Sequence, residues 1–239
     1  WRGWRVGKIA GCWKEAPERL QTVSVRIDES AGSVTVEKAI PDSVRLTLTY
    51  TLDGAGALAV DYKLDISDRM PEPLRVGLQT CVPNTLERIA YFGKGPQENY
   101  SDRCDGAFLG LYRSTPEKFM HSYITPQENG NRCDVRYLQL GGKGGGVVFA
   151  SRQPLCVSVW PCTQEALDAA EHTHEIVRLD DAWLVNVDCA QAGVGGTDSW
   201  SVKSRPSKAY RLLEKHYGYE FVIAPAGTPA DAARTSRRV

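Results

Sequence analysis

Along the first third of the chain, apolar and polar positions alternate with a period of two. Val44, Leu46, Leu48, Tyr50 and Leu52 fall on one side of an extended segment while Arg45, Thr47, Thr49 and Thr51 fall on the other, the pattern of a strand with one wet face. The pattern repeats from Leu58 to Ile66, and Asp53-Gly54-Ala55-Gly56 supplies the turn between the runs, which predicts a β-hairpin. Shorter runs of the same kind lie at 23–27, 34–37, 74–82, 135–140, 147–150, 156–160, 176–179, 183–188, 209–213 and 219–223. Strands thus follow one another without long helices, which selects antiparallel sheets, and so many strands bury their apolar faces only by stacking. The expected fold class is all-β: a two-layer antiparallel sandwich with one short helix. That helix runs from Gln164 to Glu171, capped by Thr163, with Leu167 and Ala170 on one side. One domain over 1–225 is expected, followed by a flexible tail over 226–239 that is rich in Ala, Thr, Arg and Pro.

Composition narrows the function classes. The chain has 239 residues, 29 Lys+Arg against 29 Asp+Glu, and is 42% hydrophobic, as an ordinary globular protein is. A folded chain of this length buries roughly 70 to 75% of its unfolded surface, so it needs neither disulfides nor metals to stand. Balanced charge, with no basic window, argues against nucleic acid as a partner. The longest apolar runs, such as Gly146 to Ala150, fall far short of the ~20 residues of a membrane helix, so no membrane is expected. Seven cysteines at 12, 81, 104, 133, 156, 162 and 189 form no Cys-x-x-Cys pair, and read as free, mostly buried thiols in a reducing compartment. The chain opens on Trp1 with no initiator Met and no leader-like segment, and is expected to be a piece of a longer polypeptide or a processed product.

Four segments invite chemistry. Gly141-Gly142-Lys143-Gly144-Gly145-Gly146 runs into the strand Val147-Val148-Phe149 rather than a Lys-Ser/Thr helix start, so it reads as a hairpin turn and not a phosphate loop. Two related phrases, Gly95-Pro96-Gln97-Glu98-Asn99-Tyr100 with Arg103 and Pro126-Gln127-Glu128-Asn129-Gly130 with Arg132, offer Glu98 and Glu128 as a carboxylate pair for glycoside hydrolysis. The plainer reading, which is preferred, is a pair of turns whose carboxylates are held by the nearby guanidinium groups. His172 and His174 would share a face on a strand and diverge on a helix; at a helix end and without a third ligand marked by spacing, they read as a solvated terminus rather than a metal site. Finally, Gly193-Val194-Gly195-Gly196-Thr197-Asp198-Ser199-Trp200-Ser201 is a glycine-rich loop ending in an indole. Such an indole can cover the C–H face of a pyranose while Asp198 or Ser199 takes a sugar hydroxyl; the competing reading is a buried structural Trp.

These residues also carry a resemblance. The run from Phe92 to Arg103, the run from Tyr123 to Arg132, and Gly195-Gly196-Thr197-Asp198-Ser199-Trp200-Ser201 resemble, in order and spacing, the C-terminal domain of the large β-galactosidases of glycoside hydrolase family 2. The hairpin at Asp53 and Gly54, the helix with its two His, and the strand Trp183 to Asp188 resemble it too, so the likeness extends to about Ala224. It implies a galactose-mutarotase-like β-supersandwich in a cytoplasmic, lactose-degrading enzyme that cleaves terminal β-D-galactosides with retention. The resemblance places the catalytic carboxylates, and the family's Mg and Na, in preceding domains. No catalytic residue, cofactor or metal is therefore expected in this chain, which would be inactive alone. What it would lend is Trp200, with Asp198 and Ser199 beside it, as a substrate platform. The implied partners are a galactoside, a preceding catalytic barrel domain or large subunit, and further copies of the parent enzyme. The chain starts after the Arg-x-Pro-x-Asp-Asn-Asp-like stretch with which that domain normally begins. Two alternatives stand beside this reading: a free-standing aldose 1-epimerase using His121 and Glu128 as acid and base, and a non-catalytic carbohydrate-binding module.

Overall fold

A computed structural model describes residues 6–196, 198 and 205–238. In chain order the elements are α1 (Val6–Ala10), α2 (Cys12–Arg19), β1 (Gln21–Asp28), β2 (Ser33–Ile40), β3 (Val44–Leu52), β4 (Leu58–Ile66), β5 (Arg75–Pro83), β6 (Arg88–Gly95), β7 (Phe108–Ser114), α3 (Pro116–Phe119), β8 (Arg132–Gly142), β9 (Gly145–Trp160), α4 (Gln164–Ala169), β10 (Ala182–Gln191), β11 (His216–Pro225) and α5 (Pro229–Arg238). The all-β antiparallel class holds. The strands run in the order β1-β2-β3-β4-β11-β9-β8-β6-β7, with β10 and β5 branching from β9.

The branch makes the layers. Residues 147–150 of β9 pair with β11 and residues 156–160 pair with β10, while β8 follows the other edge of β9 throughout. The β10–β5 ribbon thereby folds over the β11–β4–β3 ribbon. Val76, Val185 and Val187 meet Tyr62, Leu64 and Phe221 in one buried cluster, and the Tyr219 hydroxyl donates to the Val187 carbonyl at 2.7 Å. Burial along β4 reads in strict alternation from Val60 to Ile66, as the sequence pattern requires of a strand with one covered face.

Several expectations change. The runs 147–150 and 156–160 belong to one bent strand, β9. Residues 176–179 form no strand: Ile176 and Leu179 plug a small cluster around Trp160 and Leu167, a role that short apolar runs share with strands. Residues 209–213 form no strand either, and 208–210 make a 3-10 turn. β6, which strict alternation does not mark, lies between β7 and β8 and has consecutive buried residues from Ile89 to Tyr91, so both of its faces are covered and its pattern is nearly continuous. Helix α4 ends at Ala169 and Thr163 caps it, its hydroxyl accepting from the Ala166 N–H at 3.1 Å. It is not the only helix. α2 contains Pro17 yet packs Trp13 against the core.

The stretch 226–239, expected to be a flexible tail, instead contains α5. Thr228 and Asp231 cap each other at its start. Ala232 and Ala233 lie against Val148, Ala150 and Tyr137, because alanine lets a helix sit close to a sheet. All seven cysteines are free as expected, but only Cys133 and Cys162 are buried and Cys81 is exposed. Among the described residues no helix is long and apolar enough to cross a membrane.

Candidate functional site

The three phrases that stood out in the sequence meet at one corner of the fold. The first leaves the end of β6, where a Cβ on Gly95 would lie 2.1 Å from the Tyr91 hydroxyl, so only glycine fits. Asn99, fully buried, then ties this phrase to the second: its amide donates to the Lys94 and Gln97 carbonyls at 3.1 and 3.0 Å, and its Oδ1 accepts from the Cys133 N–H at 2.9 Å. Asn131 returns the tie by donating to the Asn99 carbonyl at 2.8 Å. Every polar atom of the Asn99 side chain thus has a partner, as burial demands.

Both candidate carboxylates are consumed by this clamp. Glu98 accepts from the Gly130 N–H at 2.6 Å, from Arg103 at 2.5 Å and from the Tyr123 hydroxyl. Burial opposes its ionisation, but the Gly130 N–H, the Tyr123 hydroxyl and the Arg103 guanidinium together outweigh burial and hold its carboxyl below the ordinary range. Glu128 is gripped by the Arg75 guanidinium at 3.0 and 3.1 Å and by the Tyr100 hydroxyl at 3.1 Å. The expected turn-plus-guanidinium arrangement is therefore present for Glu98 with Arg103. Glu128 takes Arg75 instead of Arg132, whose guanidinium donates to the Pro96 and Gly130 carbonyls at 3.1 and 3.0 Å over the Phe119 ring. An acid or base engaged in this way has no free oxygen edge to present to a substrate proton.

Arg75 also reaches Asp188, on the neighbouring strand, at 3.1 Å, so one guanidinium spans two buried carboxylates. The Asp188 carboxyl is pushed up from 3.8 to about 7: burial raises it most, Arg75 opposes, and the negative charge of Glu128 raises it further. A group raised on folding favours the folded state in its protonated form. That contribution is complete below the unfolded value and is lost as pH climbs to the folded one. Compared with Asp188→Asn, the wild-type protein should lose stability between about pH 4 and pH 7, by at most about 4 kcal/mol, and level off above. Urea midpoints across that range check this; parallel curves for the two proteins would contradict it.

The third phrase, the glycine loop after β10, is pinned against the first. The Ala192 and Gly193 N–H groups donate to the Leu74 and Tyr210 carbonyls at 2.9 and 2.8 Å, and the Gly195 N–H donates to Asp102 Oδ2 at 2.6 Å. A Cβ on Gly193 would lie 2.5 Å from the Asp102 carboxyl carbon, so glycine is needed for the close approach. Of the three expected site residues, Asp198 is half-buried near the end of this loop, whereas Ser199 and Trp200 lie outside the described residues. Arg75, Asp102 and Asp188 were not singled out from sequence. The available signal for Asp188 was an acidic residue closing the apolar run Trp183 to Val187.

Beside this corner lies a groove of about 370 Å³ lined by Met120, His121, Tyr123, Thr173, His174 and Arg178, among others. His121 stacks edge-on to Tyr123, and Glu128 is not part of its lining, so the acid–base pair suggested for an epimerase is not brought together there. Among the described residues no group of three or more His, Cys, Asp or Glu side chains is arranged to hold a metal ion. His172 sits at a 3-10 turn, its Nδ1 facing Glu175 at 3.2 Å.

Comparison with known proteins places this arrangement. Residues 4–223 match the family described as the β-galactosidase small chain. The β-galactosidase of Vibrio cholerae is 34% identical over 181 residues, covering 76% of this chain and 17% of that protein. That of Lactobacillus delbrueckii subsp. bulgaricus is 34% identical over 210 residues, covering 86% and 21%, and that of Halalkalibacterium halodurans 32% identical over 223 residues, covering 90% and 22%. The chain thus spans about a fifth of the length of these relatives. A solved structure described as a GalM/aldose epimerase homologue from C. elegans aligns over 87% of this chain and 69% of its own, with 11% identity and a TM-score of 0.43.

Proposed function

This chain belongs to the β-galactosidase small-chain family, and from that premise we propose that it is the C-terminal β-sandwich part of an enzyme that hydrolyses terminal β-D-galactosides with retention. The catalytic carboxylates and any metal sites would be supplied by the rest of that enzyme. In a retaining mechanism one carboxylic acid protonates the leaving oxygen and a second carboxylate forms the glycosyl-enzyme. In this chain the engagement of Glu98 and Glu128 by guanidinium and hydroxyl partners leaves neither for that work. Its contribution would be Trp200, with Asp198 and Ser199 beside it.

The observation that carries this reading is the pinning of the glycine loop at Gly193 and Gly195 against Asp102. Trp200 follows Gly195 by five positions, so chain length alone keeps its Cα within roughly 18 Å of that anchor. An aromatic ring carried on a fixed loop can stack on a sugar or its leaving group at low entropic cost. In the full-length enzyme, Trp200→Ala should raise KM by about tenfold for aryl and disaccharide substrates while kcat changes by less than about twofold, the signature of lost binding rather than lost chemistry. Steady-state kinetics with three or more aglycones test it, and unchanged KM across the series would refute the role of Trp200.

A further inference from the structure

The face of the sheet that forms the core does not end where its cover ends. In antiparallel neighbours, directly opposed residues point to the same side. One such row runs Tyr219, Tyr62, Leu48, Val36, Val25, and a second runs Phe221, Val60, Tyr50, Val34, Ile27. Both begin deep in the core, with Val60 2% and Tyr62 5% exposed, and both reach the outer strand still apolar, with Val25 56% and Ile27 71% exposed. Leu52, on the same side of β3, is 58% exposed. The opposite side of the same strands is finished differently: Glu37 accepts from Ser24 and Arg26 at 3.1 Å each, and the Thr35 and Thr49 hydroxyls meet at 3.0 Å. One side is a self-satisfied wet surface and the other an apolar surface that no second layer covers among the described residues.

From this we infer that the apolar side of β1, β2 and the end of β3 is a docking surface for the remaining, larger part of the β-galactosidase, an inference that rests on the function proposed above. Three observations favour that occupant. The chain spans only 17 to 22% of the length of its relatives, so about four-fifths of such an enzyme lies elsewhere and must adjoin this part. The two rows carry no charged side chain, Lys38 opposite Leu46 standing at their rim, and an uncharged face of this kind suits a permanent contact rather than a transient encounter. The surface is also continuous with the buried core that β5 and β10 cover, so a neighbouring module would simply extend that second layer. Edge-to-edge pairing of β1 with a second copy is disfavoured by the bulge between Thr22 and Ser24, which interrupts the strand's register.

Hydroxyl-radical footprinting of the complete, assembled enzyme tests this directly. Normalised for intrinsic reactivity, Val25, Ile27 and Leu52 should label at least about tenfold more slowly than expected for side chains exposed as they are in this chain. Labelling at the rate of exposed side chains in an intact enzyme would overturn the inference. So would protection that disappears on dilution to single protomers that still carry their larger part, since that would identify a second copy as the occupant. Val25→Asp with Ile27→Asp should reduce the recovery of assembled enzyme about tenfold, whereas Arg26→Ala on the wet side should leave it unchanged. Failure of the functional reading is separately visible: an assembled, protected enzyme that cleaves no galactoside would remove the proposed activity and leave the docking surface standing.

Discussion

Replacing Arg75 with methionine should destabilise the protein by roughly 3 to 5 kcal/mol, more than an ordinary surface change by an order of magnitude. Arg75 holds Glu128 through two hydrogen bonds and Asp188 through an ion pair, and both carboxylates are buried, with 5% and 1% of their side chains exposed. Methionine keeps most of the stem and its packing beside the Trp160 ring, 5.3 Å from the guanidinium, but leaves two buried carboxyl groups without their shared cation. For a chain of this length the loss corresponds to a fall in Tm of about 10 °C. The deficit has a pH signature. Without Arg75 the neutral form of Asp188 becomes still more favourable, so the deficit should shrink as pH falls from 8 to 5. Calorimetry at the two pH values checks both statements, and adding Glu128→Gln to the variant should restore part of the loss. A variant with wild-type Tm at pH 8 would show that the triad contributes nothing.

The second large effect is expected at Asn99. Asn99→Leu conserves volume but leaves the Lys94 and Gln97 carbonyls and the Cys133 N–H without their side-chain partner in a buried site. Each such buried group costs about 1 to 3 kcal/mol when its partner is removed, and the total should be on the order of 4 kcal/mol. Because Asn99 joins the first phrase to the second, the loss should be local before it is global. Hydrogen exchange at the Gly130 amide, which donates to Glu98, should accelerate at denaturant concentrations where the β3–β4 hairpin is still protected. Asn99→Asp, which keeps the acceptor but not the donor, should fall between wild type and Asn99→Leu in urea midpoint. Equal midpoints for all three proteins would mean the clamp carries no stability.

How much of this was legible in advance differs residue by residue. The β3–β4 hairpin was readable because each strand has one wet face, so its side chains alternate strictly. β6 was not, because consecutive residues from Ile89 to Tyr91 are buried, so both of its faces are covered and the alternation is erased. α5 was hidden for another reason: its buried face is alanine, which reads as neither core nor solvent until a sheet is placed beneath it. At the site, the short-range tie between Glu98 and Arg103 could be anticipated from spacing, but the pairing of Glu128 with Arg75, 53 residues away, could not. Arg132 lies only four residues from Glu128 along the chain, yet the fold turns it to backbone carbonyls and brings Arg75 in its place.

The amino-acid sequence by itself determined that this is an antiparallel β-protein, that its glycine-rich phrases are turns and loops, and that its three recurrent motifs match a known family. Those properties rest on local steric preference and on period-two burial, both of which are written over a few consecutive residues. The tertiary structure alone decided which carboxylate each guanidinium holds, that Asp102 fixes the loop after β10, and that the apolar face of β1 and β2 continues past its cover. Each of these depends on segments brought together from tens of residues apart, and the energies involved, those of desolvated charge and uncovered apolar surface, exist only once the sheets have stacked.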